Sequence, residues 1–405
     1  MSGLGRYATS LNGLARKSRL RSLSGRAGID FSSNDYLALA GDERLAGAVT
    51  AALANGTPVG AAGSRLLRGN APEHEALEAR AADFFGAERA LFFGGGYVAN
   101  FALLTTLPQK GDLIVLDEFV HASAHEGARA GRAEVVEAAH NRVDAMEDAI
   151  KIWRTGGGRT GGGLGRVWLV VESLYSMDGD RAPLDDLATL AERHEAFLLI
   201  DEAHATGVFG PGGRGLAHHL EGRENVVALH TCGKALGGCG ALVTAPAVLC
   251  DYLVNRCRPF IYATAPSPLM AVATLAALDI VASEPERRAR LAERVAFAGE
   301  RVEALGLEAL GSRALGSRAL GSGALGLGPL RFRASGSQIQ PLVIGDNART
   351  MALAGQLQAR GFDIRGIRPP TVPEGSARLR ISLTLNIDEA AIAALFDALS
   401  EISAQ

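Results

Sequence analysis

Cysteine is scarce, and its spacing is uninformative for pairing: Cys232, Cys239, Cys250 and Cys257 contain no C-x-x-C. That pattern excludes a zinc ribbon or a disulfide framework and leaves buried free thiols in a reducing cytoplasm as the expectation. Aromatic residues make up only 5% of the chain, and no apolar run approaches a bilayer-spanning length. The first 28 residues carry several Arg and Lys but no continuous apolar core, so neither secretion nor a membrane anchor is expected. An excess of one charge is also missing. With 41 basic and 44 acidic residues the net charge is -3, which offers no general surface for nucleic acid or membrane.

What is present is a large apolar inventory, 47% of 405 residues, more than one core needs. Apolar runs at Ala90–Phe93, Leu113–Leu116, Val167–Val171, Phe197–Ile200 and Val226–Leu229 alternate with helix-like stretches. Such alternation writes an α/β fold with a mostly parallel sheet flanked by helices. Ligands in such sheets sit beyond the strands' carboxyl ends, so Gly94, Asp117, Glu172, Asp201 and Thr231 are expected to converge. The division expected is an N-terminal arm over 1–45, a large domain over 46–270 and a smaller α+β C-terminal domain over 271–405. Two low-complexity stretches interrupt it, Thr155–Gly165 and the pentad array within 309–326. Glycine at that density disfavours regular structure and reads as exposed loop.

Chemistry concentrates at two strand ends. Asp201 and His204 follow Phe197–Ile200, and Lys234 follows Val226–Thr231. An amine for a Schiff base, a carboxylate for a pyridinium nitrogen and an imidazole near a ring oxygen are what a pyridoxal 5′-phosphate site requires. A rival lies in Gly94-Gly-Gly-Tyr-Val-Ala99, which follows a strand and matches the dinucleotide fingerprint, with Asp117 at the next strand end. An NAD-dependent oxidoreductase would use those residues and leave Lys234, Asp201 and His204 unexplained. A PLP-fold protein without turnover is a further alternative, against which the intact Lys234 and Asp201 stand.

Ordered motifs extend the case: Phe31–Leu37, Gly63–Asn70, Ser176–Asp180, Asp201–Gly207, Thr231–Lys234 and Arg368–Pro373. Together they resemble the α-oxoamine synthase family of PLP enzymes, which has the aspartate aminotransferase-like fold (fold type I). The resemblance implies that Lys234 holds the cofactor and then acts as base, that Asp201 pairs with the ring nitrogen, and that His204 bonds the ring hydroxyl. It implies further that His121 stacks on the cofactor, that Ser176 contacts it, and that Gly96, Tyr97 and Thr231 bind its phosphate. Thr264 would reach the phosphate of a neighbouring subunit in a homodimer. Asn34 and either Arg380 or Arg378 would hold the amino-acid carboxylate, and Arg21 and Thr371 would contact the second substrate.

The implied reaction is condensation of L-alanine with pimeloyl-CoA or a pimeloyl acyl-carrier thioester. Glycine- and serine-using relatives share most of this machinery. No metal is implied.

Overall fold

The structure is a computed structural model that describes residues 3–156, 165–304, 331–332 and 335–404. Most of the glycine-rich stretch and the whole pentad array lie outside the described residues. The chain divides into two compact units, one formed by 37–176 and 181–288, the other by 1–36, 177–180 and 289–405. The arm thus ends near residue 36 and groups with the C-terminal residues, while the segment 271–288, assigned to the C-terminal domain from sequence, belongs to the larger unit.

The larger unit is built on seven strands: β1 Arg89–Phe93, β2 Leu113–Asp117, β3 Glu134–Ala138, β4 Val167–Glu172, β5 Phe197–Asp201, β6 Val226–Thr231 and β7 Ala241–Ala245. Their spatial order is β1-β7-β6-β5-β4-β2-β3, with β7 antiparallel to both neighbours and the other pairings parallel. Every residue of β2, β4, β6 and β7 is buried, which explains why the central runs read as continuous apolar segments rather than alternating ones. The edge strand β3, Glu-Val-Val-Glu-Ala, exposes both glutamates and so carried no such signal.

Helices Gly96–Thr106, Val143–Thr155 and Leu184–Arg193 pack against the sheet, and the break between two further helices follows from simple punctuation. Pro268–Ser283 and Pro285–Ala304 are separate because Pro285 cannot continue the preceding helix. Among the described residues no single helix is long and apolar enough to cross a membrane. Cys232, Cys250 and Cys257 are buried free thiols, and burial pushes the first two up to about 12. Cys239, expected to be buried, is exposed.

In the second unit an antiparallel sheet runs Gly366–Ile367, Ala377–Ser382, Ile339–Gly345, Arg331–Phe332. It packs with the helices Asn347–Ala359 and Glu389–Ala404 around a core that includes Phe332, Leu342, Leu379 and Phe396. Gly179 lies here with φ 68°, and a Cβ on it would stand 2.5 Å from the Ile339 carbonyl oxygen, so the Ser176–Asp180 motif tolerates only glycine at that place.

Candidate active site

The parallel strands bring Asp117, Glu172, Asp201 and Thr231 to one edge of the sheet, at their carboxyl ends. Glu172 and Asp201 are register partners on adjacent strands, and Asp201 is paired in turn with Leu229 on β6. Lys234 follows β6 on a turn in which Gly237 N–H donates to the Lys234 carbonyl at 2.9 Å. This turn sets the half-buried Lys234 Nζ 2.7 Å from Nε2 of the buried His204. Amine and imidazole therefore stand within hydrogen-bond distance of each other.

Asp201 is 7% exposed, and each of its oxygens has a donor. Oδ1 accepts from Ala203 N–H at 2.9 Å, and Oδ2 accepts from the Asn100 side-chain amide at 2.7 Å. Asn100 was not singled out from the sequence, because an asparagine in an apolar helix carries no signal of its target. It lies on the buried side of helix Gly96–Thr106 and also donates to Ser123 Oγ at 3.1 Å. Ser123 Oγ is 2.7 Å from His121 Nδ1, which also receives the Ser123 N–H at 3.2 Å. Nδ1 is thus the acceptor, and the ring proton of the neutral tautomer belongs on Nε2. His121 N-caps helix Ala122–Ala130 by this bond. Although its surface is exposed, the surrounding protein desolvates the ring and lowers its pKa, with Lys234 adding to the effect and Asp201 opposing it.

Glu172 is the other residue that sequence reasoning placed only as a strand end. It is buried, its Oε2 accepts the Ser176 N–H at 2.9 Å, and its Oε1 has no hydrogen-bond partner. Burial, with the Asp201 charge beside it, pushes its carboxyl up to about 8, which favours the acid form at neutral pH. Two acids on adjacent strands therefore differ in environment: Asp201 receives two donors, whereas the surroundings of Glu172 favour its acid form.

Helix Gly96–Thr106 begins beside this group. Cβ atoms built on Gly94 and Gly95 would meet nothing within 4 Å, and one on Gly96 would stand 3.5 Å from Thr231 Oγ1. An open glycine pair, free amides at a helix start and a threonine hydroxyl suit a phosphate. Tyr97, the next residue, is exposed and bonds the Glu126 carboxylate through its hydroxyl. Thr264 stands in an exposed loop.

The amine, the buried carboxylate, the imidazole and the phosphate cradle fit pyridoxal 5′-phosphate. The dinucleotide reading fails on topology. β1 and β2 are not neighbours, so Gly94–Ala99 and Asp117 do not belong to one βαβ unit. The Asp117 carboxylate is in any case occupied by Phe119 N–H, Asn141 N–H and His140 Nδ1 at 2.9, 2.7 and 2.9 Å.

The substrate candidates lie in the other unit, where each can be placed. Arg378 and Arg380 share strand Ala377–Ser382 and both are buried. Arg378 Nη1 is held by the Asp178 carboxylate at 2.7 Å, whereas Arg380 Nη1 donates to Asn34 Oδ1 at 3.0 Å and Nη2 to the Tyr36 hydroxyl at 3.1 Å. The structure joins Arg380, not Arg378, to Asn34. Arg21 Nη2 reaches Thr371 Oγ1 at 3.5 Å, and both residues are exposed.

The family model described as aminotransferase class I and II matches residues 26–399. An 8-amino-7-oxononanoate synthase from Anaeromyxobacter dehalogenans is 41% identical over 382 residues, 94% of this chain and 87% of that protein. The crystal structure of 8-amino-7-oxononanoate synthase from Francisella tularensis superposes with a TM-score of 0.72 at 27% identity, covering 93% of this chain and 98% of that one. A serine palmitoyltransferase from Sphingomonas wittichii superposes with a TM-score of 0.81 at 26% identity, over 99% and 98% of the two chains.

Proposed function

The chain belongs to the class I and II aminotransferase family and, within it, to the 8-amino-7-oxononanoate synthases, and on that premise we propose how its residues join L-alanine to a pimeloyl thioester. Carbon dioxide and the free thiol carrier are the other products of this step of biotin synthesis. The observation that carries the site assignment is the Lys234 Nζ to His204 Nε2 distance of 2.7 Å beside the buried Asp201 carboxylate.

Bound pyridoxal 5′-phosphate supplies an electrophilic aldehyde carbon and a cationic ring that takes up an electron pair from a substrate Cα. Lys234 holds the cofactor and, once alanine has displaced it, removes and later returns the Cα proton at Nζ. Asp201 keeps its charge against the ring nitrogen, with Asn100 and Ala203 N–H fixing both carboxylate oxygens. His204 donates to or accepts from the ring hydroxyl, and neutral His121 offers a flat, uncharged face for stacking. The amides at Gly96 and Tyr97 and the Thr231 hydroxyl hold the phosphate, and Ser176 contacts the ring. Arg380 with Asn34 holds the alanine carboxylate, which sets the Cα bond to be broken. Arg21 and Thr371 contact the acyl donor.

We also place the reaction in the cytoplasm and in a homodimer, with Thr264 reaching the neighbouring subunit's phosphate. Exposed apolar side chains on the Lys234 unit, among them Leu67 and Tyr262 at 83% and 71% exposure, support that assembly.

Thiol release by the PLP-loaded protein with pimeloyl-CoA, and in parallel with a pimeloyl acyl-carrier thioester, tests the reading when alanine, glycine and serine are supplied separately. Release with alanine supports it. The likeness to serine palmitoyltransferase keeps serine in the trial, and a preference for serine or glycine would move the chain to another branch of the family.

A further inference from the structure

The alternation along β5 and β6 that turns Asp201 and Thr231 to one face of the sheet turns their neighbours Glu202 and His230 to the other. His230 is fully buried there, its ring stacked on Phe85 with 3.6 Å between centroids. Its Nε2 stands 3.2 Å from Oε2 of the buried Glu221, and the Thr244 hydroxyl donates to the same oxygen at 2.8 Å. Its Nδ1 stands 2.8 Å from Thr206 Oγ1, which is also 2.8 Å from the Glu202 carbonyl oxygen. A carbonyl only accepts, so the hydroxyl donates to Glu202 and accepts from Nδ1–H of His230. The Glu202 carboxyl is occupied elsewhere, by Leu216 and Ala217 N–H at 3.0 and 2.6 Å.

None of these side chains has a part in the chemistry described above, yet the network grips both segments that carry it. Ala205 and Thr206 N–H donate to the Glu202 carbonyl at 3.0 and 2.8 Å, closing the turn that presents His204. His230 immediately precedes Thr231 at the end of β6, and Lys234 lies on the turn that follows. The Thr206–His230 bond is therefore a side-chain tie between the turn that carries His204 and the strand that leads to Lys234. Two apolar residues in place of His230 and Glu221 would fill the same space at no loss of stability, because desolvating a polar pair is costly. They would not hold the Thr206 hydroxyl in one register, and fixing a register is the best-attested use of a buried polar pair.

We propose that His230, bonded to Thr206 and backed by Glu221, is a positioning residue for the reaction: it fixes the 201–207 turn against β6 and so sets how His204 Nε2 meets Lys234 Nζ. The contact it governs is the one at 2.7 Å. The inference rests on the reading of Lys234 and His204 as cofactor residues, while the network behind them stands on its own distances.

Amide side chains separate the two bonds of the ring. Asparagine in place of His230 puts a donor near the position of Nδ1 and none at Nε2, glutamine does the reverse, and Thr206→Val removes the hydroxyl at nearly unchanged volume. Holoenzymes of wild type, His230→Asn, His230→Gln and Thr206→Val are compared by steady-state kinetics, by pH titration of the visible absorbance of lysine-bound cofactor, and by urea unfolding. In Thr206→Val and His230→Gln, kcat should fall by about fivefold or more with the KM for alanine within about twofold of wild type, and the absorbance midpoint should move by about half a pH unit or more. His230→Asn should restore most of both, even though the loss of its bond to Glu221 lowers the urea midpoint. A lowered urea midpoint with wild-type kcat and absorbance titration, or equal effects from asparagine and glutamine, would make the network purely structural and overturn the proposal. An unchanged kcat with a raised KM for alanine would overturn it as well.

Nitrogen NMR of the apo proteins decides the matter without cofactor or turnover. The imidazole nitrogen resonances of His204, identified by their loss in His204→Gln, should move in Thr206→Val and His230→Gln and stay near their wild-type positions in His230→Asn. Resonances unmoved in Thr206→Val would overturn the proposal. If Lys234→Ala kept turnover, the cofactor reading would fall, and these resonances would still report whether His230 holds His204. Should His230→Gln fail to fold, Thr206→Val carries the comparison, since it leaves the His230–Glu221 pair whole.

Discussion

The side chain of Asn100 donates to the Asp201 carboxylate across 2.7 Å and to Ser123 Oγ across 3.1 Å, while Ser123 in turn bonds His121. One asparagine thus couples the acid assigned to the cofactor nitrogen with the imidazole assigned to its face. A hydrogen bond to a charged acceptor contributes about 1.5–3 kcal/mol, so Asn100→Leu should lower kcat by about tenfold or more. It should also weaken retention of the cofactor on dialysis. Unchanged kcat with unchanged retention would remove Asn100 from the site.

Lys234→Ala should fold, because the substitution deletes a half-buried amine rather than core volume. It should lose both turnover and the visible absorbance of lysine-bound cofactor. Asp201→Asn separates binding from chemistry: the phosphate contacts remain while the ring loses its charge partner, so cofactor is retained better than activity. Turnover equal to wild type in Asp201→Asn would end the charge-partner role.

Arg378 and Arg380 give opposite phenotypes if their partners are what matters. Arg378 and Asp178 form an ion pair whose side chains are 2% and 7% exposed. Removing one member leaves the other buried and uncompensated, at a cost of about 3–5 kcal/mol. Arg378→Met should therefore lower the midpoint of urea unfolding. Arg380→Lys should instead leave that midpoint close to wild type and raise the KM for alanine, since an ammonium cannot reproduce the fork that faces Asn34. A raised alanine KM in Arg378→Met without loss of stability would reverse the assignment.

Five strands of the large sheet were legible because burial on both faces writes an unbroken apolar run. The edge strand Glu134–Ala138 was hidden by its exposed glutamates, and Ala241–Ala245 by its small residues between turn signals. Lys234, Asp201 and His204 were legible because each stands where a strand ends. The coupling through Asn100 and the raised pKa of Glu172 were not, since both arise from contacts between elements distant in sequence. The choice between Arg378 and Arg380 was equally closed to the sequence: alternation puts both on one face, and only Asp178, brought in by the Ser176–Asp180 turn, tells them apart.

The pH dependence of stability exposes the buried acids. Glu172 is raised from 4.5 to about 8 and Glu202 from 4.5 to about 7, both by burial first. A carboxyl with a raised folded pKa holds its proton more tightly in the folded chain than in the unfolded one. Its stabilising share is complete below about pH 4.5 and is lost as pH climbs through the folded value. His74 and His121, whose pKa values are lowered by burial, tilt the curve the other way below their ordinary 6.5, so the wild-type profile alone is ambiguous. The difference between Glu172→Gln and wild type is not. An amide cannot ionise, and its carbonyl can still accept the Ser176 N–H. Between pH 5 and 8 the unfolding free energy of apo Glu172→Gln should therefore gain on wild type, by at most about 1.4 kcal/mol per pH unit. Urea unfolding at pH 5, 6.5 and 8 measures it, and parallel curves would mean that Glu172 is ionised in the folded protein.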